Sequence, residues 1–224
     1  MPSDITDFNE SHYTDRFIKG LYDKGFFHRN YRDKRQKNLN TAKLLYEHFG
    51  FSSLVDFGCG IGSYIEVFKS KGCEVKGFDY GFEYAKDLYD MVGLTDDEVA
   101  FGDVTKEITL EKKYDAALSI EVAEHIPESK SSILVSNLTN AASDIIIFSA
   151  AKIGQGGTGH INCQNSEFWI DLFNEQGWSP QDITGLVSTM TPTRDMAAVG
   201  GSYVWEWVFN NLMVFRSKEN QYLQ

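Results

Sequence analysis

Apolar and polar positions change their period near residue 50. Residues 10–49 carry apolar side chains at helical spacing, which predicts a helical N-terminal segment. From residue 53 onward, short apolar runs alternate with stretches of helical period, a pattern typical of strands alternating with helices. The predicted strands are 53–57, 73–79, 98–103, 114–120, 144–150 and 211–217, and the predicted helices are 62–71, 81–92, 129–142 and 165–176.

This alternation predicts one α/β domain. Strands that are joined through helices pair in parallel by right-handed crossovers, with helices on both faces of the sheet. The last run, 211–217, follows a Gly- and Trp-rich stretch and is predicted to be an antiparallel strand. We divide the chain into a helical N-terminal cap over residues 1–49, a ligand-binding domain over residues 50–217 and a tail over residues 218–224.

The stretch LVDFGCGIGSY, residues 54–64, predicts a strand that runs into a glycine turn before a helix. Gly58, Gly60 and Gly62 let the backbone turn sharply and approach a ligand, and the helix start offers free N–H groups. The spacing G-x-G-x-G departs from the dinucleotide pattern G-x-G-x-x-G, because position 63 is Ser63. This departure counts against a nicotinamide dehydrogenase.

Acidic residues fall at the ends of the first three predicted strands. Asp56 precedes the glycine turn, Asp79 ends the second strand in GFDY, and Asp103 ends the third in FGDV. In an open α/β fold, ligands bind at the edge where these strand ends meet. The spacing of Asp79 suits an acceptor for two ribose hydroxyls, and Asp103 could accept a hydrogen bond from the exocyclic amine of adenine.

The stretch SIEVAEHIP adds two carboxylates and an imidazole at the end of the fourth predicted strand. Glu121, Glu124 and His125 share one face if the chain is helical there, and His160 follows the fifth strand at the same edge. Mixed oxygen and nitrogen ligands suit Mn²⁺, Fe²⁺ or Zn²⁺ at least as well as Mg²⁺. The alternatives are a metal-free site, in which His125 acts as a base, and a purely structural cluster.

The net charge restricts the class of partner. At −11 for 224 residues, it repels polyanions and disfavours non-specific nucleic-acid binding. One basic run, HRNYRDKRQK, reverses the sign locally, and it is either a solvated helix face or a clamp for a carboxylate or phosphate. Its cations are Arg29, Arg32, Lys34, Arg35 and Lys37.

The location of the protein is predicted from its first residues and its cysteines. The polar, acidic start lacks the features of a signal peptide, and no apolar run is long enough to cross a bilayer. Cys59, Cys73 and Cys163 show no CxxC spacing and fit reduced thiols. We therefore expect a cytoplasmic protein that makes no membrane contact.

Two later segments carry many aromatic residues. Phe168, Trp169, Leu172 and Phe173 stand at helical spacing, which favours core packing over a ligand site. The segment 191–210 contains Arg194, Trp205 and Trp207. Its aromatic side chains could either wall a pocket or pack against the sheet.

The motifs described so far resemble those of the class I S-adenosylmethionine-dependent methyltransferases, in the broad group that includes the ubiquinone-biosynthesis O-methyltransferases. The resemblance covers about residues 50–217 and rests on VDFGCGIG, GFDY, FGDV, YDAALSIEVAEHIP and GHINCQNSEFWIDLFNEQGW. It implies a Rossmann-like doubly wound sheet of seven strands in the order 3-2-1-4-5-7-6, with strand 7 antiparallel. It also implies S-adenosyl-L-methionine as the cofactor.

The same resemblance implies roles for single residues. The glycine-turn backbone would hold the methionine part, Asp79 the ribose, and Asp103 with Val104 the adenine. The implied cofactor-binding residues are Asp56, Gly58, Cys59, Gly60, Gly62, Asp79, Tyr80, Asp103, Val104, Ile120 and Glu121. The implied catalytic residues are Glu124, His125 and His160, and these three with Glu121 are the implied metal ligands.

The acceptor stays open at this point. The pattern E-x-x-E-H with a later histidine also resembles the small-RNA 3′-terminal 2′-O-methyltransferases of plants, in which two glutamates and two histidines hold Mg²⁺. We expect transfer to an oxygen, or secondarily a nitrogen, of a small molecule, and the basic run favours an acidic one. The alternatives are an RNA 3′ end and a cofactor-binding partner subunit without catalysis.

Overall fold

The computed structural model describes residues 20–184 and 204–218. Its strands are β1 (Ser53–Phe57), β2 (Glu74–Asp79), β3 (Val99–Phe101), β4 (Tyr114–Ile120), β5 (Ala142–Ser149), β6 (Trp178–Pro180) and β7 (Met213–Ser217). They form one sheet in the order β3-β2-β1-β4-β5-β7-β6. β1 to β5 pair in parallel, and β7 is antiparallel to both of its neighbours. The predicted Rossmann-like order is confirmed.

Helices cover both faces of the sheet. They are α1 (Lys24–Phe49), α2 (Ser63–Ser70), α3 (Phe82–Met91), α4 (Ser131–Ala141), α5 (Ser166–Glu175) and α6 (Glu206–Asn211). The consecutive β1 residues Leu54 and Val55 are fully buried and enter the two cores on opposite faces of the sheet. Because both faces are covered, the central strands β1, β4 and β5 are buried along most of their length rather than at alternating positions.

The predicted continuous helix over residues 10–49 is wrong at one place. Residues Gly20 and Leu21 are helical, but the chain leaves the helix before Lys24, where α1 begins. The side chain of Asp23 accepts a hydrogen bond from the backbone N–H of Phe26 at 2.8 Å, so this residue caps α1 and ends the preceding turn. Residues 10–19 of the prediction lie outside the described part of the chain.

The hydrophobic pattern located six of the seven strands and missed β6. This strand has three residues, lies at the edge of the sheet and ends at Pro180. Three residues are too few to show the alternating pattern that marks a longer strand. Proline, which lacks an N–H donor, is tolerated because the strand lies at the edge. Among the described helices, none combines the length and the apolar character needed to cross a bilayer.

α1 lies against α2 and α3 on one side of the sheet. The contact with the start of α3 is close: a Cβ on Gly81 would lie 2.2 Å from Cζ of Phe27, which is 2% exposed. Only glycine allows this approach. The contact brings α1 to the edge where β1, β2 and β4 end.

Candidate active site

A cavity of about 670 Å³ opens at the carboxyl ends of β1, β2 and β4 and is bounded by α1 on its other side. The loop after β5 and the start of α6 complete the wall. The residues predicted from the sequence that line it are Asp56, Gly58, Cys59, Gly60, Asp79, Tyr80, Asp103, Val104, Ile120, Glu121, Glu124, His125 and His160. Gly62 is placed elsewhere: a Cβ there would meet Leu94 at 2.8 Å, on the side of α2 that packs on α3.

The glycine turn joins β1 closely to the stretch after β4. Gly58 has a φ of 86°, in the left-handed region that favours glycine, and a Cβ on it would lie 2.5 Å from Cγ2 of Val122. The backbone N–H groups of Gly58 and Cys59 both donate to the carbonyl of Phe78, at 2.7 and 3.1 Å. The turn is therefore anchored to β2 by hydrogen bonds and packs against Val122.

Two carboxylates flank this turn. Asp79 accepts hydrogen bonds from the backbone N–H groups of Gly60 at 2.8 Å and Gly81 at 2.7 Å. Burial raises the pKa of Asp79 to about 6, against the opposing effect of these two bonds. Asp56 is 2% exposed, and burial together with the nearby Asp79 raises its pKa well above the ordinary value.

Two buried polar atoms in this part of the cavity have no hydrogen-bond partner among the described residues. They are Oδ2 of Asp56 and the hydroxyl of Tyr64. An unpaired buried polar atom is costly, so a bound ligand with amine and hydroxyl groups would stabilise the site. Tyr64 was not identified from the sequence, because it occurs at an ordinary position in the first turn of a helix.

Asp103 is already engaged within the chain. Its Oδ1 accepts from the backbone N–H of Thr105 at 3.0 Å and from the hydroxyl at 2.6 Å, and its Oδ2 lies 2.9 Å from Nζ of Lys106. Burial would raise the pKa of Asp103, but these bonds outweigh it and leave the pKa lowered. An ionised carboxylate thus lies at the cavity wall, and its bond to adenine stays a prediction.

Glu121 has a strained backbone. Among the described residues it is the one non-glycine with positive φ, at 54°, a conformation that costs about 1–3 kcal/mol. Its carboxylate Oε1 accepts a hydrogen bond from Nδ2 of Asn211 at 3.2 Å, and Asn211 also donates to Oε1 of Gln155 at 3.0 Å. Sequence reasoning missed Asn211, which lies 90 residues from Glu121 and in no motif.

Three side chains lie close enough together to hold one metal ion. One ligand atom each of Glu124, His125 and His160 lies within 4.8 Å of the other two. Nε2 of His160 is 4.0 Å from Oε1 of Glu124. Glu124 is 1% exposed, and its Oε2 has no hydrogen-bond partner among the described residues. The predicted fourth ligand, Glu121, lies outside this group.

The two imidazoles are oriented by backbone carbonyls. Nδ1 of His125 lies 3.1 Å from the carbonyl oxygen of Gly159, and Nδ1 of His160 lies 3.1 Å from that of Gln155. Because a carbonyl oxygen only accepts, each Nδ1 donates, and in the neutral imidazole this leaves the lone pair on Nε2, as in metal-binding histidines whose other nitrogen is hydrogen-bonded. Burial, and then His160, lowers the pKa of His125 to about 4, so this imidazole is neutral near pH 7.

The glutamates of the site hold protons more tightly than usual. Burial, and then the charge of Glu121, raises the pKa of Glu124 well above its ordinary value. Burial also raises the pKa of Glu121. A divalent cation would replace the proton here, and would satisfy the unpaired oxygen of Glu124 and the free Nε2 atoms together. The residues present therefore fit a metal.

The cations of the basic run point in different directions around α1. Arg32 pairs with Asp33 at 2.6 Å, and Arg35 pairs with Glu66. These two arginines do not line the cavity, and the exposed Arg29 does not line it either. Most of the run is therefore a solvated or internally paired helix face.

Lys34 differs from these residues because it lines the cavity. Nζ of Lys37 instead lies 4.5 Å from the ring centre of Trp205. Trp205 and Trp207 both line the cavity, with ring centres 4.1 Å apart. The aromatic side chains of this segment were predicted either to wall a pocket or to pack against the sheet, and for these two residues the structure favours the pocket wall. Arg194 of the same segment lies outside the described residues.

The aromatic residues of α5 are packed as the sequence predicted. Trp169 and Phe173 are fully buried, and Phe168 and Leu172 lie partly buried against the same core. They stand on the face of the sheet opposite α1.

Known methyltransferases share parts of this sequence and this fold. A family model described as a methyltransferase domain matches residues 26–144. A search of curated proteins finds no match. Magnesium protoporphyrin IX methyltransferase from Synechocystis, solved with bound SAH, is similar in fold, with a TM-score of 0.58, 17% identity, and coverage of 91% of this chain and 99% of that chain.

Two further solved structures share the fold. The sugar N-methyltransferase KedS8 from Streptoalloteichus has a TM-score of 0.60 and 13% identity, covering 87% of this chain and 92% of that one. An S-adenosylmethionine-dependent methyltransferase from Clostridium acetobutylicum has a TM-score of 0.56 and 11% identity, covering 86% and 96%.

Proposed function

Because this chain belongs to the methyltransferase domain family of S-adenosylmethionine-dependent enzymes, we propose that it methylates an oxygen of a small acidic molecule with the help of a bound divalent metal. The observation that carries the proposal is the group of Glu124, His125 and His160, whose ligand atoms lie within 4.8 Å of one another. The same E-x-x-E-H pattern supports membership of the group that includes the ubiquinone-biosynthesis O-methyltransferases.

The residues around the glycine turn fit the cofactor. S-adenosyl-L-methionine, when bound, supplies an electrophilic methyl group on a sulfonium. Asp79 lies at the end of β2, where its carboxylate would accept from ribose hydroxyls. The unpaired Oδ2 of Asp56 and the Tyr64 hydroxyl would take the polar groups of the methionine part. Gly58 and Gly60 keep side chains out of the space beside the turn.

The residues after β4 and β5 would hold the acceptor end. A divalent metal, when bound, lowers the pKa of an acceptor hydroxyl. Glu124 offers a carboxylate oxygen and His125 and His160 each offer Nε2, a mixed set that suits Mn²⁺, Fe²⁺ or Zn²⁺. Gly159 and Gln155 keep both rings in the tautomer that a metal needs. Positioning of the two reactants by this wall would supply a large part of the rate.

We also propose a small-molecule acceptor and a cytoplasmic location. Among the described residues that line the cavity, Lys34 is the one lysine or arginine, which is enough for one carboxylate but gives no basic path for a polyanion. The net charge of −11 over the sequence repels an RNA backbone, which disfavours the 3′-end alternative. The remaining alternative is a cofactor-binding partner subunit without catalysis, and the group of Glu124, His125 and His160 beside the proposed cofactor site supports an active enzyme instead.

Metal-free transfer to nitrogen is the second candidate. It is favoured by the free Nε2 of His160, which faces the cavity and could accept a proton from an amine. The sugar N-methyltransferase that shares this fold acts on nitrogen, as its name states.

The test is a methyl-transfer assay with metal-stripped protein and S-adenosylmethionine. A panel of aromatic acids with vicinal hydroxyls would be compared with the matching diamines, with Mn²⁺ or with a chelator, and the products identified by mass spectrometry. We expect methyl ethers that form only when metal is restored. Transfer that persists in chelator, or methylation of amines alone, would replace this proposal with the second candidate.

A further inference from the structure

One helix face presents free hydrogen-bond donors to the cavity. Asn30, Lys34 and Asn38 stand at i, i+4 and i+8 of α1, and all three line the cavity. On a helix these positions form one row. Since α1 lies over the strand ends, the row faces the same space as His125 and His160.

Lys34 is uncommitted, unlike most of the cations beside it. It has no hydrogen bond or ion pair to another described residue, whereas Arg32 and Arg35 are paired with Asp33 and Glu66. Lys34 is exposed to solvent and also lines the cavity, so an anionic ligand in the cavity would give its ammonium a partner.

The amide of Asn38 is fixed with its donor end free. Its Oδ1 accepts a hydrogen bond from Nε1 of Trp205 at 2.6 Å. Because the oxygen is engaged, the Nδ2 group is the end that remains to donate. Trp205 lies against Trp207, so an apolar wall stands beside these donors.

The contacts of Asn38 favour the acceptor over the cofactor as the partner of this row. Asn38 is bonded to Trp205, which lies at the start of α6. At the other end of α6, Asn211 donates to the side chain of Gln155, and the backbone carbonyl of Gln155 orients His160. The donors are therefore joined through α6 to the wall that carries His160.

We propose that Lys34 and Asn38, with Asn30 beside them and the Trp205–Trp207 pair as an apolar wall, form a subsite for the carboxylate of an aromatic or similarly apolar acceptor acid. The subsite fixes the acid end of the acceptor, and the group of Glu124, His125 and His160 receives its hydroxyl end. This assignment rests on the proposed function, which it deepens by naming the substrate class and the residue that selects it.

The experiment measures binding of benzoate and of its uncharged isostere benzamide to protein saturated with S-adenosylhomocysteine, by calorimetry. The variants are Lys34→Gln and, as a matched control, Arg32→Gln, which removes an exposed cation of the same helix outside the cavity. We expect benzoate to bind at least tenfold more tightly than benzamide, and Lys34→Gln to abolish the difference. Arg32→Gln should leave it unchanged.

Three outcomes would overturn the subsite. They are no benzoate binding to the unmodified protein, equal binding of benzoate and benzamide, and an unchanged preference in Lys34→Gln. If Lys34→Gln instead weakens S-adenosylhomocysteine binding tenfold while Arg32→Gln does not, Lys34 holds the cofactor's own carboxylate and the acceptor assignment is wrong.

Failure of the subsite is distinguishable from failure of the proposed function. Benzoate binding needs neither metal nor methyl transfer, so it can succeed in a protein that shows no response to Mn²⁺. Conversely, a response to Mn²⁺ that Lys34→Gln retains, without benzoate preference in either protein, would keep the metal and reject the subsite.

Discussion

Nε2 of His160 lies 4.0 Å from Oε1 of Glu124, although the two residues come from loops after different strands. The backbone holds them together: the N–H groups of Ile161 and Asn162 both donate to the carbonyl of Glu124, at 2.8 and 3.1 Å. The pairing is therefore part of the fold of the loop after β5, and a ligand at this point meets a preformed site.

Gly58→Ala should destabilise the protein and weaken cofactor binding. The new Cβ would combine a φ of 86° with a 2.5 Å approach to Val122, and overpacking of this kind costs about 1–3 kcal/mol. The free energy of unfolding from urea titration and the Kd for S-adenosylhomocysteine measure the two effects. Gly72→Ala is the matched control, because Gly72 has a φ of 85° but nothing within 4 Å of a Cβ.

Comparison of Gly58→Ala with Gly72→Ala separates the cost of the left-handed backbone from the cost of the contact with Val122. Equal loss of stability in both variants would mean that the left-handed backbone alone matters and that the contact with Val122 is relieved by a small shift. Val122→Ala combined with Gly58→Ala should restore part of the loss if the contact dominates.

Asn211→Ala should lower stability by about 1–3 kcal/mol, because it removes the hydrogen bonds that Asn211 donates to the part-buried side chains of Glu121 and Gln155. It should also weaken Mn²⁺ binding, since Asn211 holds the side chain of Gln155, whose backbone carbonyl orients His160. Calorimetric titration with Mn²⁺ checks this. Asn210→Ala is the control, because Asn210 is exposed and its bond to the described Lys152 uses its backbone carbonyl, which the substitution keeps. Equal Mn²⁺ affinity in both variants would contradict a positioning role for Asn211.

Cofactor affinity should depend on pH through Asp79. Its pKa is raised to about 6, so the stability that its proton contributes is present in acid and is lost as pH rises through this value. Ribose hydroxyls need the ionised carboxylate, so the effect on binding is opposite: the Kd for S-adenosylhomocysteine should increase up to about tenfold for each pH unit below 6.

Calorimetry between pH 5 and 7.5 measures this dependence. Asp79→Asn should bind weakly with a flat profile, and Asp97→Asn, at an exposed position, should keep the profile of the unmodified protein. A slope that survives in Asp79→Asn would assign the titration to another group.

The sequence predicted those parts of the fold that depend on local patterns. Apolar runs and the turn at Gly58 and Gly60 located the parallel strands, and acids at strand ends identified the edge at which the cavity lies. The resemblance supplied the strand order, which the structure confirms. The sequence pattern did not predict β6, because a strand of three residues that ends at Pro180 is too short to show a period.

The parts of the candidate site that sequence reasoning missed depend on tertiary packing. Five cations lie within ten residues, but the rotation of α1 about its axis decides that Lys34 reaches the cavity, and buried contacts of Phe27 and Leu39 set that rotation. Likewise, Asn211 meets Glu121 because the fold places α6 beside β5, next to the end of β4. No short-range spacing encodes either relationship.

The most direct test of the central claim is the thermal unfolding of chelator-stripped protein saturated with S-adenosylhomocysteine, with and without Mn²⁺. A metal at one hundred times its Kd stabilises the native state by about 2.7 kcal/mol, which raises the Tm by roughly 5–11 °C for a chain of this size. We expect this shift in the unmodified protein and in Glu47→Gln, an exposed control on α1, and its loss in Glu124→Gln. No shift in the unmodified protein, or an equal shift in Glu124→Gln, would contradict a metal at this site.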